Sequence, residues 1–203
     1  MELYYFETPN ARKACGVARH LDLPVDFIHV DLSKGEHKTP DFLARNPNGK
    51  VPVLQDGETI MWESPAIMLY FAQKAGSALW PSDPVKQGEV LRWINWDTAH
   101  FGRHAGRLFW ENHVKPMFGL GESNQAEIEE ATGFFKQFAA VLDTHLAGRD
   151  YLLGDQLTIA DFAVDSMLTV AEPARLPLDG YDNVKRWHER MMELPAWREP
   201  FAA

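Results

Sequence analysis

Residues 50–72, KVPVLQDGETIMWESPAIMLYFA, decide how the rest of the chain is read. Two short apolar runs, VPVL and TIMW, flank Asp56-Gly57, a pair that marks a tight hairpin between antiparallel strands. Ser64-Pro65 follows, a helix-start signature with serine as N-cap and proline at the first helical position. The apolar body AIMLYFA makes that helix, and Gly76 is its stop. Pro52 heads the first of the two strands. Proline cannot donate to a ladder, so it is tolerated only at a sheet edge or at a strand's first residue.

Upstream, residues 2–6 (ELYYF) read as a short buried strand. Residues 11–21 carry Ala14, Val17, Ala18 and Leu21 at helical spacing, closed by Leu23-Pro24. Residues 25–30 (VDFIHV) read as a second strand, and 39–46 as a short helix before the loop Asn46-Pro47-Asn48-Gly49. The order strand, helix, strand, helix, strand, strand, helix predicts an α/β unit in which the hairpin adds an antiparallel edge to parallel strands. Downstream, residues 74–84 (KAGSALWPSDP) concentrate Gly, Ser and Pro, and the grammar then changes. Only helical patterns follow, at 85–115, 124–147, 159–173 and 182–193, which predict an all-helical bundle. We expect a first domain at 1–77, a linker at 78–84 and a helical domain at 85–203.

The composition narrows the classes of function. With 45% hydrophobic and 24% charged residues, the 203-residue chain has the balance of an ordinary soluble globular protein. Its one cysteine excludes an intramolecular disulfide. The net charge of −9 argues against nucleic acid or an anionic membrane as partner, though a local positive pocket can still take a small anion. No segment reaches the roughly 18 apolar residues of a membrane span, and MELYYFETPN lacks a basic and apolar signal core. The expected location is the cytoplasm.

Several residues are placed for chemistry. A cis Val51–Pro52 bond would hold the polar groups of Val51 out of the sheet, where an extended peptide-like ligand pairs with them as an added strand; a trans proline would merely start an edge strand. Ser64 as N-cap suits a carboxylate, and Glu63 beside it an ammonium group, which together fit the zwitterionic end of an amino acid; the alternative is a plain helix cap with a solvated acid. Thr8 and Asn10 stand where the first strand turns into the first helix. Donors at a helix N-terminus stabilise a thiolate, and the same residues also serve as an ordinary turn and cap. Cys15 lies about one and a half turns into that helix and has no second cysteine to pair with, so it reads as a packed small hydrophobe.

In the helical half, Thr158-Ile159-Ala160-Asp161 fits a capping box with Asp in place of Glu or Gln. His100 and His104, four apart, share a helix face but have no third ligand at a suitable spacing, so no metal is expected. Trp93, Trp96, Phe101, Phe109 and Trp110 make the longest helical pattern aromatic, which reads mostly as core and interdomain packing, with some rings able to wall an apolar pocket.

Taken together, KVPVL, the WESPAIMLYFA helix start, the linker, LTIADF and VKRWHERMMELPAW resemble the glutathione S-transferase family over nearly the whole chain. The resemblance implies a thioredoxin-like N-terminal domain, an all-α C-terminal domain and a cis Val51–Pro52 bond. It implies glutathione as co-substrate, with Val51 pairing the cysteinyl part, Glu63 and Ser64 holding the γ-glutamyl end, and Lys50 and His37 near the glycyl end. The turn ETPNARK is similar to that of bacterial members with Thr-Pro-Asn, which makes Thr8 and Asn10 the candidates for activating the thiol. Tyr4 and Tyr5, inside the strand, are not. The activity implied is conjugation of glutathione to a small electrophilic apolar substrate by a homodimer, as in detoxification. Two alternatives stand beside it: a glutathione-dependent disulfide reductase using the same site, and a transferase-like binding or regulatory module without catalysis.

Overall fold

The structure is a computed structural model and describes residues 1–201. It separates into two compact units, one made of Met1–Trp80 with the described residues from Glu193 onward, the other of Pro81–Met192.

The first unit is built on a four-stranded sheet ordered β2-β1-β3-β4. Strand β1 (Glu2–Tyr5) pairs parallel with β2 (Asp26–His29) and antiparallel with β3 (Val53–Asp56), which returns as β4 (Thr59–Trp62). The hairpin closes on Asp56 opposite Thr59, and Gly57 takes φ +59° at the first of the two turn positions, where a side chain is strained. Helix α1 (Pro9–His20) links β1 to β2 and begins two residues earlier than its apolar spacing suggests, because Thr8 caps it and Pro9 opens it. A single 3₁₀ turn (Glu36–Lys38) precedes α2 (Pro40–Arg45), whose N-cap is Thr39. Helix α3 (Ser64–Lys74) follows β4 and packs against α1. Leu3 and Leu54 of the sheet, Ala14, Val17 and Ala18 of α1, and Ile67, Met68 and Phe71 of α3 are fully buried. Each large one contributes about 1.5–3 kcal/mol on leaving water.

The second unit is helical throughout its regular structure. The pattern at 85–115 folds as one helical run of alternating pitch: α4 (Pro84–Trp96), a π-helical segment (Asp97–Phe101), α5 (Gly102–Phe109), a second π segment (Trp110–Val114) and α6 (Lys115–Met117). A Cβ at Gly102 would lie 2.5 Å from Asp97 Oδ1, so glycine is what lets the first π segment close over its own aspartate. Helix α7 (Gln125–Leu146) is capped by Asn124. The pattern at 159–173 divides into α8 (Ile159–Asp165), a 3₁₀ turn (Leu168–Val170) and α9 (Ala171–Ala174). Pro173 lacks the N–H that a helix continuing through it requires. Every residue of α8 is buried, and it packs against α4 and α10 (Asp182–Met192).

The tail was not anticipated. Residues 193–203 read with the helical half in sequence, but the short helix α11 (Pro195–Arg198) and its flanks group with the first unit and pack on α1. No helix among the described residues is long and apolar enough to cross a membrane.

Candidate active site

The sheet register gathers the residues singled out in the sequence. Tyr4 pairs with Val53, and Val53 with Trp62. Just past those pairs lie the turn after β1 with Thr8, the Val51–Pro52 step before β3, and Glu63-Ser64 after β4. All three therefore stand at one end of the sheet, and both α1 and α3 begin there. Helix N-termini carry unpaired N–H groups and partial positive charge, so this end of the unit favours anions.

Thr8 is extended (φ −115°, ψ 155°), and its Oγ1 accepts the Ala11 N–H at 3.2 Å. A hydroxyl that accepts still has its own proton to donate. Asn10 is exposed in the first turn, and its side-chain amide has no hydrogen-bond partner among the described residues. The first turn of α1 contains no acidic residue. The tyrosines are otherwise engaged: Tyr4 donates its hydroxyl to Glu2 Oε2 at 2.7 Å, and Tyr5 stacks on Phe201 with centroids 5.7 Å apart.

The Val51–Pro52 bond is cis. Val51 falls outside the β3 ladder, and its N–H and C=O make no backbone hydrogen bond among the described residues. The loop in front of it is held by Asn46, which is 3% exposed. Its amide donates to the Lys50 carbonyl at 2.8 Å, and its Oδ1 accepts from Asn48 N at 3.1 Å. Gly49 has φ +58°, and a Cβ there would lie 2.8 Å from Lys38 Nζ and 3.0 Å from the His37 carbonyl. Gly49, next to Lys50 in the chain, thus lies against the His37-Lys38 turn. His37 Nδ1 is buried without a partner, and its pKa is pushed down by burial, with Lys38 adding to the effect.

Glu63 and Ser64 differ from the expected cap. Only one residue separates β4 from α3, so the reversal falls on Glu63, which takes φ 72°, ψ 112° and occupies the cap position. Ser64 is the first helical residue, 4% exposed, rather than the N-cap. A non-glycine residue at positive φ is strained, and such strain collects at ligand sites. Pro65 has no N–H, so Ser64 and Ala66 supply the open donors of this first turn.

Cys15 is fully buried on α1, and burial pushes its thiol up to about 12. It is packing, not chemistry. In the second unit His104 is 8% exposed and stacks on Phe134 at 4.7 Å, and His100 stacks on Phe138 at 4.7 Å. Trp93 and Phe101 are buried, and Trp110 is exposed. Among the described residues no group of three or more His, Cys, Asp or Glu is placed to hold a metal ion.

Comparison with known proteins adds a second line of evidence. The family model described as glutathione S-transferase, N-terminal domain, matches residues 1–73, and the one described as glutathione S-transferase, C-terminal domain, matches residues 101–195. The chain belongs to the glutathione S-transferase family. Glutathione S-transferase 3 of Zea mays is 34% identical, with 97% of this chain and 90% of the relative covered. Disulfide-bond oxidoreductase YfcG of Escherichia coli is 31% identical, with 97% and 92% covered. Among solved structures, a glutathione transferase family member from Pseudomonas fluorescens with two glutathione bound superposes with a TM-score of 0.90. It is 26% identical, covering 98% of this chain and 91% of that one.

Against this transferase background, three features of the site escape the sequence. The first is Lys38, adjacent to His37 but marked by no local signal. Asn46 is the second: Asn-Pro-Asn-Gly announces a loop without saying that its first side chain ties the loop down. Third comes the strained backbone of Glu63, which follows from the length of the connection.

Proposed function

We propose that the protein is a glutathione transferase that binds the tripeptide along this end of the sheet and conjugates it to a small electrophile. The observation that carries the reading is the register, which brings an open Val51 and two helix N-termini together. In this reading the γ-glutamyl ammonium pairs with Glu63, and its carboxylate takes the Ser64 hydroxyl and the first N–H groups of α3. The cysteinyl backbone pairs with the N–H and C=O of Val51 as one more short strand. The glycyl carboxylate meets His37 and Lys50. That leaves the sulfur at the start of α1, within the positive end of its dipole.

There the Thr8 hydroxyl and the Asn10 amide donate to sulfur, favouring the thiolate over the thiol and lowering its pKa. The thiol proton leaves to solvent. The thiolate attacks an electrophilic carbon, forming the C–S bond while the leaving group departs with its electron pair. Because the thiolate is the nucleophile, every unit by which its pKa falls toward ambient pH raises the reactive fraction up to tenfold. The helical half, from residue 85 on, supplies the apolar electrophile pocket, and the active form is a homodimer. The Thr8-Pro9-Asn10 turn is the reason for grouping the chain with bacterial members of the family.

Titration calorimetry tests binding. We expect heat of binding at micromolar to millimolar glutathione, and no heat at millimolar glutathione would overturn the reading. Similarity to a disulfide-bond oxidoreductase supports a second outcome at the same site, in which the thiolate attacks sulfur and displaces a thiolate instead. Parallel turnover with an aryl halide and with hydroxyethyl disulfide separates the two.

A further inference from the structure

The tail that joins the first unit has a defined seat. Arg12, Gly16 and Arg19 recur at i, i+4 and i+7, so they form one stripe along α1. Trp197 is fully buried against the middle of that stripe, where a Cβ on Gly16 would lie 2.6 Å from its Cε3. At one end the Arg12 guanidinium donates to the Trp197 carbonyl and lies over the rings of Trp197 and Phe201, 5.5 and 5.6 Å from their centroids. At the other, Arg19 Nε donates to the Pro200 carbonyl at 2.8 Å. Phe201 then stacks on Tyr5, its plane 4° from parallel.

Tyr5 is the last residue of β1, and Arg12 is the fourth of α1. The tail therefore grips both flanks of the turn that carries Thr8 and Asn10. The intervening backbone closes tightly, with Thr8 N–H donating to the Phe6 carbonyl at 2.6 Å and Arg12 N–H to the Thr8 carbonyl at 2.9 Å. Donors at a turn stabilise a thiolate only if they stay aimed at it, since reorienting them during the reaction costs what preorganisation saves.

We propose that the C-terminal segment from Leu194 to Phe201 is a positioning clamp for the thiol-activating turn, with Trp197, Gly16 and Arg12 as its positioning residues. This rests on the reading of Thr8 and Asn10 given above. None of the three is among the residues assigned to the tripeptide; they act by fixing the angle at which α1 leaves the sheet. Binding and activation therefore separate, because Val51, Glu63 and Ser64 hold the tripeptide from other elements.

The test is spectrophotometric titration of the thiolate of bound glutathione in the full chain, with steady-state kinetics against pH. Gly16→Ala wedges a methyl under Trp197, and Trp197→Leu removes the ring that fills the seat. Each is expected to raise the bound thiol's pKa by about half a unit to one unit, a three- to tenfold loss of thiolate near neutrality. Turnover should fall by that factor at pH 6.5 and recover near pH 9, with KM for glutathione within about twofold of the unaltered protein. The double variant should lose less than the two changes combined, because leucine makes room for the added methyl. Trp187→Phe in the helical unit serves as control: it lowers thermal stability through the loss of the indole bond to Asp161 and should leave the thiol pKa in place. If Gly16→Ala and Trp197→Leu lower stability but leave the thiol pKa unmoved, the clamp is overturned while the site stands. If the unaltered protein binds no glutathione, or binds it without lowering the thiol pKa, the reading of the site fails instead.

Discussion

Among the threonines that cap helices in this molecule, Thr158 and Thr8 are built for opposite ends. Thr158, before α8, is fully buried, and three residues on Asp161 closes a reciprocal capping box around it. The Asp161 carboxylate accepts from Leu152 N at 2.8 Å, Thr158 N at 2.9 Å, Thr158 Oγ1 at 3.1 Å and Trp187 Nε1 at 3.2 Å. The positive end of α8 is thus filled by the protein's own anion. Thr8, before α1, is half-buried, has Ala11 at the equivalent position and no acid in the first turn. The same local grammar gives a finished structural joint in one place and, in the other, a helix start with no acid of its own. The difference is one carboxylate.

Removing that carboxylate has the largest expected effect. Asp161→Ala strands two buried backbone N–H groups and the Trp187 indole, which predicts a loss of ~3–5 kcal/mol in chemical denaturation. The same group gives the comparison a pH signature. Burial raises the pKa of Asp161 from 3.8 to about 6, against the pull of its hydrogen bonds. The folded state then holds the proton more tightly than the unfolded one. Its contribution is full below about 4 and lost as pH rises through about 6. The stability difference between the protein and Asp161→Asn should therefore be larger at pH 5 than at pH 7.5, and a pH-independent difference would refute the assignment.

Supplying a carboxylate to α1 is the converse experiment. Asn10→Asp puts an anion in the exposed first turn, where it stabilises the helix by about 0.3–1 kcal/mol. In the proposed site it also removes the amide donor and repels the thiolate. We expect at least tenfold lower turnover at neutral pH together with unchanged or higher Tm. A variant that loses stability and keeps turnover would break the contrast between the two helix starts.

Much of this arrangement was legible because the chain is punctuated. Asp56-Gly57 fixed the hairpin, and the apolar spacing of residues 11–21 and the Ser64-Pro65 pair announced helices whose starts fall within two residues of expectation. What stayed hidden depends on geometry rather than on residue type. Whether Glu63 or Ser64 caps α3 is set by the single residue available to turn from β4. The segment Pro195–Arg198 shows its helix signal locally, but its partner Gly16 lies far away in sequence, where it reads only as a glycine inside a helical pattern. The π-helical segments at Asp97–Phe101 and Trp110–Val114 carry the same aromatic and charged residues as the helix around them, so periodicity passes over both. For the site, residue types identified Thr8, Asn10, Val51, Glu63 and Ser64 as chemically able. Lys38 and Asn46 came into view only through the fold of the loop.

Within α1, a smaller pair of changes separates capping from activation. Thr8→Val keeps the shape but removes the acceptor for Ala11 N–H, at about 1 kcal/mol of stability. In the proposed site it also removes a hydroxyl proton for sulfur, so turnover should fall by about tenfold. Thr8→Ser retains both groups and should restore both properties. If Thr8→Val lowers Tm with turnover intact, then Asn10 alone faces the sulfur, and Thr8 is a cap of the same kind as Thr158.

The smallest expected effect belongs to the most conspicuous residue. Cys15 is the chain's only thiol, yet it sits behind the helix start, fully buried, with its pKa pushed up to about 12. At neutral pH almost none of it is thiolate, and none of its surface meets solvent. Cys15→Ala deletes one sulfur from a packed site and should cost about 1 kcal/mol, measured by denaturation, as a small void in the core. Turnover and its pH profile should not change. Loss of activity with the fold intact would move the nucleophile from glutathione to the protein, and the open start of α1 would then need another explanation than a bound thiolate.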